Sequence, residues 1–259
     1  MIPDISEFSY GYAVTESLIW DTSLPIVGAP IFPSLIMEGR VGGYDVAIPF
    51  EGLILFLQFK LSHYMVRNST VESRRGFLTT PFYRMHIRPR RHSRQHEMLL
   101  ELEANGHSVL YAAPKFHRSH ELNQAYLRRT IVQQSLLISP STIGNLPDNG
   151  DHHLSFRNGS SVYLCSEPQQ IRGIENEESA VKELLNLLDK KGNLKVNEEV
   201  ILNLSKTMFD IVLKRNISYH PFTADDILSF REMHPLQRVR FLARSYFGCE
   251  PVIIMKRTK

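Results

Sequence analysis

The stretch from Tyr44 to Lys60 constrains the fold more than any other part of the chain. It reads Tyr-Asp-Val-Ala-Ile-Pro-Phe, then Glu51-Gly52, then Leu-Ile-Leu-Phe-Leu-Gln-Phe-Lys. Both arms are apolar, β-branched or aromatic, and Glu51-Gly52 is turn chemistry, so strands over 44–50 and 53–61 should form a hairpin. Side chains alternate along a strand, which puts Gln58 and Lys60 on one face and Leu57, Phe59 and Leu61 on the other. With a two-residue turn, Phe50 lies opposite Leu53. Counting back in antiparallel register then sets Asp45 opposite Gln58, and Gly43 opposite Lys60. Opposed residues share a face, with Cβ atoms about 4.5–5.5 Å apart. An acid, an amide and an ammonium thus converge at the end of an apolar strand. Burying such groups unpaired is costly, so the strand end calls for a chemical reason.

Oxygen donors beside a cation are what a hard metal ion and a phosphate require. Asp45 offers a charged oxygen, Gln58 a neutral carbonyl oxygen, and Phe59 its backbone carbonyl. Mg²⁺ prefers such ligands and keeps several waters. Lys60 would orient the attacking water or stabilise charge developing on the phosphate.

The remaining chain supplies neighbours for this hairpin. Residues 6–21 read as a helix with Phe8, Tyr12, Leu18 and Ile19 roughly on one face. Leu24 to Pro33 holds three prolines and should be extended or looped. Residues 62–92 read as a long arginine-bearing connection with a short helix after Leu61. Ser93 caps a helix to Asn105 with Met98, Leu99 and Leu102 as its apolar stripe, and Asn105-Gly106 stops it. Val109 to Ala113 is a short strand. Ser119 caps a further helix that runs to about Leu137, and a loop spans Pro140 to Asp151. Asn158-Gly159 joins His152–Arg157 and Ser160–Ser166 in a second hairpin. Beyond Gly173 the pattern turns helical, over 175–191, 197–215, 224–230 and 235–247, before a short terminal strand over 252–255. The expected organisation is an α/β domain over 1–172 and a mainly helical region over 173–259.

Asp, a hairpin and then Gln-x-Lys together resemble the PD-(D/E)XK nucleases, in the Gln-x-Lys form of the Mrr-type restriction endonucleases. The resemblance covers roughly residues 6–113. It implies a restriction-endonuclease-like core, a mixed central sheet flanked by helices. It also implies a Mg²⁺- or Mn²⁺-dependent endonuclease that hydrolyses DNA in defence against foreign DNA. A glutamate of the first helix often joins the metal site in this family, which brings in Glu16, with Glu38 as the alternative. The implied catalytic set is Glu16, Asp45, Gln58 and Lys60, and the implied metal ligands are Asp45, Gln58, the Phe59 carbonyl and Glu16. Two features depart from the family pattern: Tyr44 replaces the proline, and Gln58 replaces the second acid. The competing expectation is a nuclease-like module that binds nucleic acid or protein without cleaving.

Charge points to the same partner. The net charge is only +3, yet no acidic residue lies between Glu72 and Glu97, while Arg74, Arg75, Arg84, Arg88, Arg90, Arg91 and Arg94 do. Guanidinium forks match phosphate oxygens, so Arg84, Arg88, Arg90, Arg91 and Arg94 are the expected contacts to a DNA backbone. A protein partner or a second copy of the chain is also expected; a membrane is not, because no apolar run is long enough to span one. The opening Met1-Ile2-Pro3-Asp4-Ile5 has neither the basic nor the apolar region of a signal peptide, so a cytoplasmic setting is expected. Hydrophobic residues at 42% and charged residues at 22% exclude a disordered chain as the default. Cys165 and Cys249 make no Cys-x-x-Cys motif. No phosphate-binding Gly-x-x-x-x-Gly-Lys-Ser/Thr loop and no Gly-x-Ser-x-Gly elbow is present. His117 with His120, and His152 with His153, lack the tight Cys/His pattern of a zinc site and are expected in surface or supporting roles.

Overall fold

The computed structural model describes residues 1–21, 29–30, 46–50, 53–91, 94–159, 161–166, 169–171, 198–214, 230, 233 and 235–242. Its elements, numbered along the chain, begin with helix α1 (Glu7–Asp21) and strands β1 (Val46–Phe50), β2 (Leu53–Phe59) and β3 (Ser62–Met65). Helix α2 (Val71–Arg74), strand β4 (Phe82–Ile87), helix α3 (Gln95–Ala104) and strand β5 (Ser108–Pro114) follow. Next come α4 (Ser119–Leu127), β6 (Ser135–Ile138), α5 (Pro140–Ile143), β7 (His152–Phe156), β8 (Val162–Cys165) and β9 (Gln169–Ile171). Helices α6 (Glu198–Lys214) and α7 (Pro235–Leu242) complete the described part.

Two sheets organise the molecule. The first runs β1-β2-β5-β6, with β1/β2 and β5/β6 antiparallel and β2/β5 parallel. A parallel pair needs a crossover, and the segment between β2 and β5 contains α3. The hairpin register is the one counted from sequence: Phe50 pairs with Leu53, and each step back holds as far as Val46 with Leu57. Every residue of β5 is buried, as expected for a strand covered on both faces.

α1 explains one of those covers. Ser6 Oγ accepts from the Ser9 amide at 3.0 Å and caps the helix. Tyr10, Ala13, Val14 and Leu18 pack with Leu55, Leu57 and Phe59 of β2, together with Leu110, Ala125 and Leu137. A Cβ at Gly11 would stand 2.6 Å from the Phe59 ring, so only glycine lets the helix lie this close. Phe8 and Tyr12 face outward, at 75% and 52% exposure. They do not belong to the buried stripe that their spacing suggests. The phase is set instead by Tyr10, whose hydroxyl donates to Ser135 Oγ at 2.8 Å inside the core.

The second core lies on the other face of β2 and β5. Phe56, Val109 and Tyr111 meet Met98, Leu99 and Leu102 of α3, the inner face of the second sheet, and α6. Leu204, Met208 and Ile211 of α6, with Val239 and Leu242 of α7, belong to this same cluster. The described C-terminal helices therefore share a core with the α/β part.

The second sheet corrects the reading of residues 62–92 as one long connection. That segment supplies β3 and β4, which begin an antiparallel sheet of order β3-β4-β7-β8-β9. Thr70 caps α2 between them, its side chain accepting from the Ser73 amide. Residues 135–138 are a strand rather than the end of the expected 119–137 helix, because they pair with β5. Arg118, not Ser119, occupies the N-cap of α4. The Pro140 to Asp151 loop contains the short α5, capped by Ser139. The Asn158-Gly159 hairpin is as read, with Gly159 at a φ of 67° that suits glycine. Ser93, the helices expected over 175–191 and, apart from Phe230, 224–230, and the strand over 252–255 lie outside the described residues. No helix among the described residues is long and apolar enough to cross a membrane.

Candidate active site

Gln58 and Lys60 are buried at the end of β2, at 2% and 8% exposure. They face away from α1 and toward the start of α3. There Gln95, equally buried, bridges them: its Nε2 donates to Gln58 Oε1 at 2.7 Å, and Lys60 Nζ donates to its Oε1 at 3.3 Å. The amide orientations follow from chemistry. Lysine can only donate, so the Gln95 oxygen must face Lys60 and its nitrogen must face the Gln58 oxygen. Gln58 Nε2 is left to donate to the Phe59 carbonyl, at 3.2 Å. An ammonium, two oriented amides and a backbone carbonyl are thus gathered in one buried place.

Gln95 is the member that the sequence reading misses. It occupies the first position of α3, and with Leu99 and Leu102 it falls on the spacing of the buried stripe. A polar residue on that face was the available signal. Its neighbour His96 is also buried, with Nδ1 3.1 Å from the Tyr111 hydroxyl and Nε2 2.8 Å from the Gly144 carbonyl. This ring ties α3 to β5 and to α5, and is closed to a phosphate.

Asp45 and Glu38 lie outside the described residues. Glu16 is described, and the structure does not bring it to Gln58. It sits on α1, which packs against the Leu55, Leu57 and Phe59 face, whereas Gln58 and Lys60 occupy the opposite face. Its carboxylate accepts from the Tyr126 hydroxyl of α4, and that bond is the main reason the Tyr126 phenol is raised to about 12.

The arginines are largely spoken for. Arg84 is held by Glu72. Arg90 and Arg94 both reach Glu97, at 2.5 and 3.2 Å, and Arg91 reaches Asp151 at 3.0 Å. Of the five expected backbone contacts, Arg88 is exposed and has no acidic partner among the described residues.

A second polar cluster lies on the outer face of the second sheet. Glu72 is fully buried. It receives Arg84 through Nε at 3.1 Å and through Nη2 at 2.6 and 2.7 Å, Ser155 Oγ at 2.6 Å, and His153 Nε2 at 3.1 Å. Burial alone would raise this carboxyl; the bonds from His153, Arg84 and Ser155 outweigh it and hold the group far below the usual carboxylate range. Cys165 completes the cluster, with Sγ 3.6 Å from Ser155 Oγ, and burial pushes its thiol up to about 11. Glu72, His153 and Cys165 bring one donor atom each to within 4.8 Å of one another.

The chain matches no family model, no curated protein and no solved structure.

Proposed function

We propose that the chain is a Mg²⁺- or Mn²⁺-dependent nuclease that hydrolyses phosphodiester bonds in DNA, with its centre at Asp45, Gln58 and Lys60. The observation that carries this reading is the pair of buried polar residues, Gln58 and Lys60, held side by side by Gln95 at the end of an otherwise apolar central strand. An apolar pair there would avoid desolvating a cation, which favours a chemical role over a purely structural one. The arrangement around them also supports it. A first helix, an antiparallel hairpin, a crossover containing a helix and a parallel strand after it are parts of a restriction-endonuclease-like core, whose meander also has a strand before that hairpin. The register count that sets Asp45 opposite Gln58 is the same count that holds for the pairs from Phe50–Leu53 to Val46–Leu57.

The donors suit a hard cation in kind. Gln58 Oε1 and the Phe59 carbonyl are neutral oxygens, and Asp45 is assigned the charge. Each of the two neutral oxygens accepts a hydrogen bond, Gln58 Oε1 from Gln95 and the Phe59 carbonyl from Gln58. Glu16 is left out of the set. The chemistry that a bound Mg²⁺ or Mn²⁺ supplies is polarisation of the phosphate and a lower pKa for the attacking water. Lys60 neutralises charge that develops on the phosphate, and Gln95 fixes its direction.

The rival reading is a nuclease-like module that binds nucleic acid or protein without cleaving. It is favoured by the neutral amide where the family has a second acid. A cleavage assay with Mg²⁺ or Mn²⁺ on plasmid DNA separates the two. Wild type and Glu16→Ala should cleave alike, while Asp45→Ala and Lys60→Ala should lose cleavage and stay folded. Retained cleavage in folded Asp45→Ala would overturn the assignment. Tight DNA binding with no divalent-dependent cleavage by wild type would establish the rival.

A further inference from the structure

We propose that His63, His86 and His153 form a surface site for a transition-metal dication of the zinc class, on the outer face of the second sheet. The placement follows from register. β4 lies between β3 and β7, with His63 opposite Arg84 and His86 opposite His153. The three imidazoles therefore form a row across adjacent strands, while Met85, Ile87 and Leu154 fill the inner face. The His63 and His86 ring centres are 5.2 Å apart, and those of His86 and His153 are 5.6 Å apart. Two imidazoles on one zinc, with Zn–N bonds of roughly 2.0–2.1 Å, place their ring centres about 5 Å apart. Each neighbouring pair already has that spacing.

Glu72 provides what such a site needs behind it. Metal-binding histidines commonly donate their second ring nitrogen to a carboxylate, which fixes the tautomer. Glu72 is ionised, so His153 Nε2–H donates to its Oε1 at 3.1 Å, and in the neutral imidazole that a metal would bind, Nδ1 is the remaining ligand atom. Imidazole ligands bind in the neutral form. Ring desolvation, His153, His63 and Arg84 push His86 down to about 4, and burial likewise lowers His63. Imidazole donors suit zinc, nickel and copper rather than magnesium. Of the nearby cations, Arg84 is already bound to Glu72 on both oxygens, and the N-terminal ammonium donates to the Tyr64 carbonyl.

Among the described residues, Glu72, His153 and Cys165 are the group whose donors already lie within 4.8 Å of one another. That group is closed to a metal: both Glu72 oxygens carry the Arg84 guanidinium, and the Cys165 thiol stays protonated. The histidine row opens outward instead. Its nitrogens do not yet meet at one point, so binding turns the partly exposed His86 ring on its side-chain torsions.

The test is calorimetric titration of the intact chain with ZnCl₂ in chelator-free buffer. Wild type should bind one zinc with a saturable heat. His86→Ala should weaken binding by more than about 100-fold and His63→Ala by about 10-fold or more, since losing even an orienting partner costs roughly 10–100-fold. Cys165→Ser should bind like wild type. His86 and His63 are outside the Glu72 network, and unchanged melting temperatures in chelator would show that both variants are folded. Absence of saturable binding to wild type, equal affinity in folded His86→Ala, or loss of binding in Cys165→Ser would each overturn the site.

Discussion

Glu72 on the second sheet is closed by a guanidinium, a hydroxyl and an imidazole, whereas Gln58 and Lys60 at the end of β2 are bridged by the neutral amide of Gln95. Both places bury polar groups, and they do so with different economy. The Glu72 network matches a charge with a charge and spends every lone pair on fixing α2 and its loop to β4 and β7. The β2 site joins a buried lysine to a second buried amide through Gln95. On the proposed reading, the first is a structural brace and the second a place kept for chemistry.

The largest effect that would sharpen this contrast is on the brace. Glu72→Gln leaves the Arg84 guanidinium without its counter-charge and should cost roughly 3–5 kcal/mol of unfolding free energy, measured by urea denaturation at neutral pH. The sign of the pH dependence follows from the depressed carboxyl of the folded state. Its stabilisation is complete above the unfolded value of about 4.3 and is lost as pH falls below it. Glu72→Gln should therefore flatten the acid side of the stability curve. A cost below about 1 kcal/mol, the range of an exposed ion pair, would erase the distinction between the two regions.

A smaller effect is expected at the other region. Gln95→Leu should lower divalent-dependent cleavage by about 10- to 100-fold, the scale for losing a residue that orients a ligand, and should cost about 1–3 kcal/mol of stability, because buried Lys60 and Gln58 each lose a hydrogen bond. Equal cleavage by Gln95→Leu would mean that the bridge has no part in the chemistry. The smallest effect concerns the arginines. Arg88→Ala should reduce the slope of log K against log salt for DNA binding by roughly 0.7–0.9. Arg91→Ala gives up an exposed pair with Asp151, worth about 0–1 kcal/mol, and should leave that slope nearer to wild type. Reversed slopes would return the DNA contact to the paired arginines.

The parts of the fold that were legible in sequence are those fixed by neighbours along the chain. The β1–β2 register follows from a two-residue turn, and the Asn158-Gly159 hairpin from a glycine at positive φ. Helix α3 is legible from its apolar stripe. What escaped depends on distant partners. Residues 135–138 have the composition of a helix end, yet pairing with β5 makes them a strand. β3 and β4 look like a connection until β7 and β8 extend their sheet. Phe8 and Tyr12 have the hydrophobicity of core residues, but the phase of α1 is set by Tyr10 reaching Ser135. The candidate site divides in the same way. Gln58 and Lys60 follow from strand alternation alone, whereas Gln95 lies 37 residues from Gln58 and comes into place only through the crossover. Glu72 is further still from Ser155, and nothing local marks it as buried.

The claim that the end of β2 is kept for chemistry is tested most directly by Lys60→Met, with unfolding free energy and Mg²⁺-dependent DNA cleavage measured on the same preparation. Methionine fills the space of the lysine stem and removes a buried charge. The account predicts stability within about 1 kcal/mol of wild type, since methionine removes the cost of burying a charge together with the hydrogen bond to Gln95. It also predicts cleavage lower by at least about 100-fold, as when a group that stabilises developing charge is removed. A Lys60→Met protein that loses several kcal/mol of stability yet cleaves DNA like wild type would contradict it.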